Sequence, residues 1–200
     1  MDTSQTAESY NQIADFWSSE QFPHLQNGIQ QHKRAIQFVS EKKKAIDIGC
    51  GSSGRFIDLL LKEGFEVEGL DISPVMLEQA KSRHPDVHFH LSDIMTWKSD
   101  NLYSFISAWD SVWHVPLHLQ KQLIVKLLSL LHTEGVLILT TGGVDEPGDG
   151  ENEFLGQPLY HAALGINNLL SVFIENGGNI RHLEYDQHPE LHTYLIVQKA

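Results

Sequence analysis

The sequence predicts an α/β domain: a doubly wound, mostly parallel seven-stranded sheet with an antiparallel C-terminal strand. Three observations carry this. Short apolar runs alternate with helix-like stretches from Ala45 to Thr141, the pattern of successive βα units. A glycine-rich turn, Gly49 to Gly54, joins the first strand to its helix. Two strand-like runs close the chain with only about four residues between them, too few for a parallel crossover, so they pair antiparallel.

Taken in order, residues 4–20 read as a helix, because Tyr10, Ile13, Ala14, Phe16 and Trp17 recur near helical spacing. Residues 28–40 read as a second helix with Ile29, Ala35, Ile36 and Val39 inward. Strand 44–49 leads to helix 53–63, which stops at Gly64. Strand 66–71 precedes helix 74–83, with Ser73 as N-cap and Pro74 in the first helical position. Strand 87–91 follows Pro85, and YSFISA makes strand 103–108. Pro116 opens helix 117–131 with a leucine stripe, and VLILTT after Gly135 has the continuous apolar character of a buried parallel strand. Helix 162–176 and strands 179–186 and 191–198 complete the domain. The stretch 142–160 reads as one long irregular loop.

The whole chain, 1–200, is expected to form a single domain, with 200 residues enough for a real core. Its net charge of −12 and lack of a basic stripe argue against nucleic acid as a partner. The N-terminus lacks the pattern of a signal peptide, and no apolar run approaches the ~20 residues of a membrane span. With one cysteine, Cys50, there is no internal disulfide framework. A reducing, cytoplasmic location with no membrane partner is the resulting expectation.

The turn Gly49-Cys50-Gly51-Ser52-Ser53-Gly54 is a GxGxxG, and Asp71 lies 20 residues past Gly51 at the end of the second strand. Those features alone suit a nicotinamide dinucleotide, with backbone close to the ligand and Asp71 on ribose hydroxyls. Three features point elsewhere. Asp47, two residues before the first glycine, is wasted on a pyrophosphate but suits an ammonium group. Asp93, in the Ser92-Asp93-Ile94 end of the third strand, suits an adenine amino group, with Ile94 against the ring. The antiparallel terminal pair is unusual for a dinucleotide fold.

With DIGCGSSG, GLDIS, SDI, AWDSVWHVP, GVLILTT and the opening YNQIADFW in order, the sequence resembles the class I S-adenosylmethionine-dependent methyltransferases. The resemblance covers roughly residues 8–199, 142–176 only loosely, and departs where Tyr103-Ser104 replaces the common Phe-Asp. It implies a Rossmann-like methyltransferase fold, S-adenosylmethionine as cofactor and a small-molecule methyl acceptor. It implies that Gly49, Cys50 and Gly51 approach the methionine part, with Asp47 ordering the turn or helping to hold the ammonium. Asp71 would take both ribose hydroxyls, with Ile72 against adenine and Asp93 and Ile94 at its amino edge. Trp109 would lie near the methionine tail. Residues 1–40 would supply lid helices, Tyr10 and Trp17 closing over the site, and 142–176 an acceptor-side loop and helix.

For the chemistry, His114, Tyr160 and His161 are the candidates near the acceptor, His114 because it follows strand four at the ligand-binding face. Asp110, in the same segment, divides like His114 between a structural role and one near the acceptor. The glycines of 142–160 would make that loop a mobile lid, its apolar end closing over the substrate. The terminal group His182, Glu184, Asp186, His188, Glu190 and His192 lacks the spacing of a metal site, so no metal is expected. The other readings are an NAD(P)-dependent oxidoreductase and a non-catalytic S-adenosylmethionine-binding protein.

Overall fold

The computed structural model describes residues 3–19 and 26–200; the expected end of the first helix, at residue 20, lies outside the described residues. Helices α1 (Thr3–Ser18) and α2 (Ile29–Ile36) precede the alternating part. There follow β1 (Lys44–Ile48), α3 (Arg55–Lys62), β2 (Glu66–Asp71), α4 (Pro74–Arg83), β3 (His88–Leu91) and β4 (Tyr103–Ala108). After two short 3-10 turns come α5 (Gln120–Ser129), β5 (Leu131–Gly142), β6 (Gly148–Phe154) and β7 (Gln157–Ala163). The chain closes with α6 (Ile166–Glu175), β8 (Gly178–Tyr185) and β9 (His192–Lys199).

Seven strands form one sheet in the order β3-β2-β1-β4-β5-β9-β8. The pairs from β3 to β5 are parallel, and β9 runs antiparallel to both β5 and β8. This is the predicted doubly wound sheet with one reversed strand. Successive residues of a strand face opposite sides. Ile46, Ile48 and Ile106 accordingly pack with α5 and α6, while Ala45, Phe105 and Ile138 pack with α2, α3 and α4. Burial on both faces explains why these strands read as continuous apolar runs. The cap at the head of α4 forms as expected: Met76 N donates to Ser73 Oγ at 3.1 Å.

The stretch 142–160 differs from the expected irregular loop. It is largely a β6–β7 hairpin, from Gly148 opposite Ala163 to Phe154 opposite Gln157. The turn residues Leu155 and Gly156 both have positive φ, 52° and 77°, the requirement of a tight two-residue hairpin turn. Gly148 and Gly150, read as sources of mobility, are ladder residues of this hairpin. Helix α6 starts at Ile166 and not at 162, because Ala162 and Ala163 belong to β7. The hairpin holds α1: Ser9 Oγ donates to Pro158 O at 2.7 Å, and the Phe154 ring meets those of Phe16 and Trp17 at 5.7 and 5.8 Å. On its other side α1 reaches α4's cap, where Ser73 Oγ donates to Asn11 Oδ1 at 2.7 Å. Among the described residues no helix is long and apolar enough to cross a membrane.

Candidate active site

A cavity of about 150 Å³ opens where β1, β2, β3 and β4 end, with α1 over it. The glycine turn forms one wall. Gly49 has φ 73°, and a Cβ built there would lie 2.2 Å from Ser111 Cβ, so only glycine fits. Gly51 has φ 57°, and a Cβ there would meet no atom within 4 Å. The turn therefore presents bare backbone next to open space. Cys50 also lines this wall, and burial pushes its thiol well up, which rules it out as a ready thiolate.

Asp71 stands at the end of β2 and is buried at the wall. Gly51 N donates to its Oδ2 and Ser73 N to its Oδ1, each at 2.8 Å. Burial raises its pKa against the lowering effect of those backbone bonds. One carboxylate thus ties the glycine turn to the head of α4 and keeps lone pairs for further donors. Ile72, Asp93 and Ile94 line the same side, and Met95 N donates to Asp93 Oδ1 at 2.8 Å. Tyr10, Trp17 and Trp109 line the cavity as well. Ser52 Oγ and Trp109 Nε1 are buried polar atoms of lining residues with no hydrogen-bond partner among the described residues.

Asp47, expected either to order the turn or to help hold a ligand ammonium, does not line the cavity, which corrects the second of these. It is buried within the sheet, its Oδ1 2.6 Å from Ser107 Oγ. Ser107 Oγ is 3.0 Å from His32 Nε2, and His32 Nδ1 is 2.7 Å from Gly28 O. The carboxylate at position 47 thus belongs to a buried polar chain that ties α2 to β1 and β4.

His114 lines the cavity and is buried. Its Nδ1 lies 2.6 Å from Tyr160 O, which can only accept, so Nδ1 carries the proton. Nε2 is then the acceptor, 2.7 Å from the Tyr10 hydroxyl and 3.1 Å from Trp113 Nε1. Burial pulls the His114 pKa down to about 4, so the ring is neutral at pH 7.

Tyr160 and His161, expected in the acceptor pocket, do not line the cavity. The Tyr160 hydroxyl accepts from Leu117 N at 3.0 Å and donates to Asp149 Oδ2 at 2.9 Å, so it is committed to joining the hairpin to the segment before α5. The His161 ring stacks obliquely behind His114, centroids 4.9 Å apart. β7 pairing decides this: it fixes both residues in a strand whose backbone, through Tyr160 O, meets His114 instead.

Arg55 also lines the cavity, although nothing in the sequence singled it out. It begins α3, its guanidinium 4.4 Å from the Phe56 ring centre; burial lowers its pKa while Asp110 and Asp47 raise it. Asp110 follows β4, lines the cavity and is bonded to His192, a partner the sequence did not suggest. The terminal polar group splits in two. His182 and Glu184 gather with Arg34 and Tyr194, whereas Asp186 and His192 reach Asp110.

A mostly parallel sheet with a glycine turn, a strand-end Asp71 and a cavity beneath α1 defines a Rossmann-like α/β protein. The family model described as a methyltransferase domain matches residues 24–192. The chain belongs to this methyltransferase-domain family. It is 33% identical over 132 residues to the trans-aconitate 2-methyltransferase of Enterobacter sp. (strain 638), covering 62% of this chain and 51% of that one. It is 38% identical over 100 residues to the trans-aconitate 2-methyltransferase of Methylobacterium radiotolerans, covering 46% of this chain and 35% of that one. The chain thus spans about half the length, or less, of these curated relatives. Among solved structures it is similar to a protein from Pyrococcus horikoshii, at TM-score 0.72 and 18% identity, covering 92% and 93% of the two chains. It is also similar to the N-methyltransferase NodS from Bradyrhizobium japonicum, solved with S-adenosylhomocysteine, at TM-score 0.69 and 11% identity over 96% and 98%.

Proposed function

We propose that this protein is an S-adenosylmethionine-dependent methyltransferase acting on a small molecule. The observation that carries the reading is the direct bond of Gly51 N to Asp71 at the edge of open space. That geometry sets a carboxylate for ribose hydroxyls beside bare backbone for the methionine part. The family membership favours this over a nicotinamide oxidoreductase. The residues present fit the cofactor: Ser52 Oγ and Trp109 Nε1 are buried polar atoms awaiting partners, and Gly51 faces room that a Cβ would fill.

In this reading Asp71 grips the ribose, Ile72 and Ile94 flank adenine, and Asp93 accepts from its amino group. The bound cofactor supplies a methyl group already activated on a sulfonium. The protein's own task is therefore alignment and exclusion of water more than acid-base chemistry. Tyr10 and Trp17 on α1 roof the cavity, and His114 holds Tyr10 in place. A neutral His114 with its lone pair already on two donors serves as a positioning residue for that roof. Asp47, bonded to Ser107, braces β1 against β4 from inside the sheet, without touching the ligand.

The name trans-aconitate 2-methyltransferase, carried by the curated relatives, describes an acid acceptor. The matched region is only part of those proteins, so the name does not fix the acceptor of this chain. The reading is tested by calorimetry with S-adenosylhomocysteine and by following release of that product over a metabolite panel. Binding followed by acceptor-dependent release supports an enzyme. Binding with no release across the panel would favour a non-catalytic cofactor-binding protein, and binding of NAD alone would refute the assignment.

A further inference from the structure

Asp110 occupies an unusual place at the cavity. Its φ is 51°, a left-handed conformation that Asn and Asp tolerate best among side-chain-bearing residues. Its backbone N–H is fixed on Thr140 Oγ1 at 2.7 Å. Its Oδ1 lies 2.9 Å from His192 Nε2, and on the far side of that ring Nδ1 lies 2.5 Å from Asp186 Oδ1. Asp186 is anchored in turn by Gln31 Nε2 at 2.8 Å. A ring facing a carboxylate from each nitrogen satisfies both only as the imidazolium. Burial pulls His192 down, but Asp110 and Asp186 outweigh it and the net shift is upward. The Trp109 and Trp113 rings, 5.5 and 5.9 Å away, wall the imidazole in.

The result is a carboxylate–imidazolium–carboxylate row that ends in the cavity with one negative charge in excess. Asp110 Oδ2 makes no hydrogen bond among the described residues. The charged residues lining the cavity are Asp71, Asp93 and Asp110 against Arg55, and Arg55 is also drawn by Asp47. Tyr10, Trp17 and Trp109 add aromatic faces, which attract cations. A polycarboxylate acceptor would meet repulsion here; an amine would not.

We propose that Asp110 receives the protonated amino group of the methyl acceptor, with His192 and Asp186 as its positioning residues, so that this protein methylates amines. The inference rests on the methyltransferase reading above. In the transfer the acceptor's ammonium passes one proton to Asp110 and thence to water, which the 27% exposure of that side chain permits. The freed nitrogen lone pair forms the new N–CH3 bond, and the C–S bonding pair leaves with the sulfur as S-adenosylhomocysteine.

The test is calorimetry in two stages. First, S-adenosylhomocysteine is titrated into wild type, D110N and H192Q. Then each saturated complex is titrated with phenethylamine, 2-phenylethanol and trans-aconitate. Expected are equal S-adenosylhomocysteine affinities within about twofold, since the adenosine grip is untouched. In wild type phenethylamine should bind at least about tenfold tighter than the alcohol, as expected for a charge-assisted contact, and trans-aconitate weakest. Both variants should lose that preference. Asn suits the left-handed backbone, so D110N should keep its fold. A merely structural defect would weaken all ligands together and would overturn the assignment of roles. So would a tenfold loss of S-adenosylhomocysteine affinity in D110N, which would give Asp110 to the cofactor's own ammonium. Equal or tighter binding of trans-aconitate, or no amine binding, overturns the acceptor class and leaves the methyltransferase reading standing. Failure of wild type to bind S-adenosylhomocysteine would overturn both.

Discussion

Tyr10 and His114 are joined by a 2.7 Å hydrogen bond although 104 residues separate them. Burial raises the phenol pKa further above its ordinary 10.0, with Asp71 and Asp110 adding to it, so Tyr10 keeps its proton. Burial lowers that of His114, so the imidazole keeps its lone pair. Each partner is thus held in the state the bond requires. The bond fixes the roof helix α1 to the segment after β4, at the C-terminal ends of the strands where open α/β folds receive ligands.

Tyr10→Phe removes this bond and little else, because Trp113 still donates to His114. A net contribution of about 0.5–1.5 kcal/mol corresponds to a loss of about two- to tenfold in S-adenosylhomocysteine affinity. Calorimetry measures it. Unchanged affinity together with a lowered melting temperature would assign the bond to the fold and not to the roof.

Asp71→Ala should weaken cofactor binding more than Asp93→Ala. Asp71 offers two contacts to the ribose, each charge-assisted bond contributing about 1.5–3 kcal/mol, and Asp93 offers one to adenine. The ligand-free protein should also suffer in Asp71→Ala, since Gly51 N and Ser73 N lose their acceptor. Paired calorimetry and thermal melts separate the two effects; an Asp93 variant that binds worse than the Asp71 variant contradicts these roles.

The buried chain from Gly28 through His32 and Ser107 to Asp47 predicts an unusual pH response. Burial lowers His32 to about 3 and raises Asp47 from 3.8 to about 6. Between these values folding moves a proton from the histidine to the carboxyl, with Ser107 Oγ lying 2.6 Å from Asp47 Oδ1 and 3.0 Å from His32 Nε2. A raised acid makes stability fall as pH rises from 3.8 to 6, by about 1.4 kcal/mol per unit. A depressed histidine makes it rise from 3 to 6.5 by the same slope. Together they cancel over the shared window. His32→Gln should therefore uncover a stability that falls from pH 4 to pH 6, and Asp47→Asn one that rises, relative to wild type. Urea midpoints across that range give the answer, and parallel profiles for all three proteins would rule the coupling out.

What the sequence made legible follows from what is local. The glycine turn, the Ser73 cap and the strand-end Asp71 each answer a backbone requirement within a few residues, and each is where it was expected. The hairpin was not legible, because GDGENEF has neither β-branched residues nor alternation and is exposed throughout. Its strand character comes from pairing with β7 and from Leu155 and Gly156 at positive φ. Distance hid the rest. Ser107 lies 75 residues from His32, and Asp110 lies 82 residues from His192. Asp186 and His192 therefore read as members of a terminal polar run, although folding lines them up behind Asp110 of the cavity wall.

Tyr160 gives the last prediction, and it separates a lid from a brace. A mobile lid residue would leave its hydroxyl free in the open state and touch substrate in the closed one. In this fold the hydroxyl is already spent, accepting from Leu117 N and donating to Asp149, while the backbone oxygen accepts a hydrogen bond from His114 Nδ1. Tyr160→Phe should leave the backbone contact with His114 intact and leave Leu117 N and Asp149 Oδ2 without their partner. Two lost bonds of about 0.5–1.5 kcal/mol each predict a destabilisation of about 1–3 kcal/mol by urea unfolding. S-adenosylhomocysteine affinity should stay within about twofold of wild type, because neither the cavity wall nor the roof is touched. Turnover of any acceptor should likewise hold within a few-fold. A variant of wild-type stability whose turnover falls more than about tenfold would show instead that the hydroxyl leaves Asp149 and meets the substrate during the reaction.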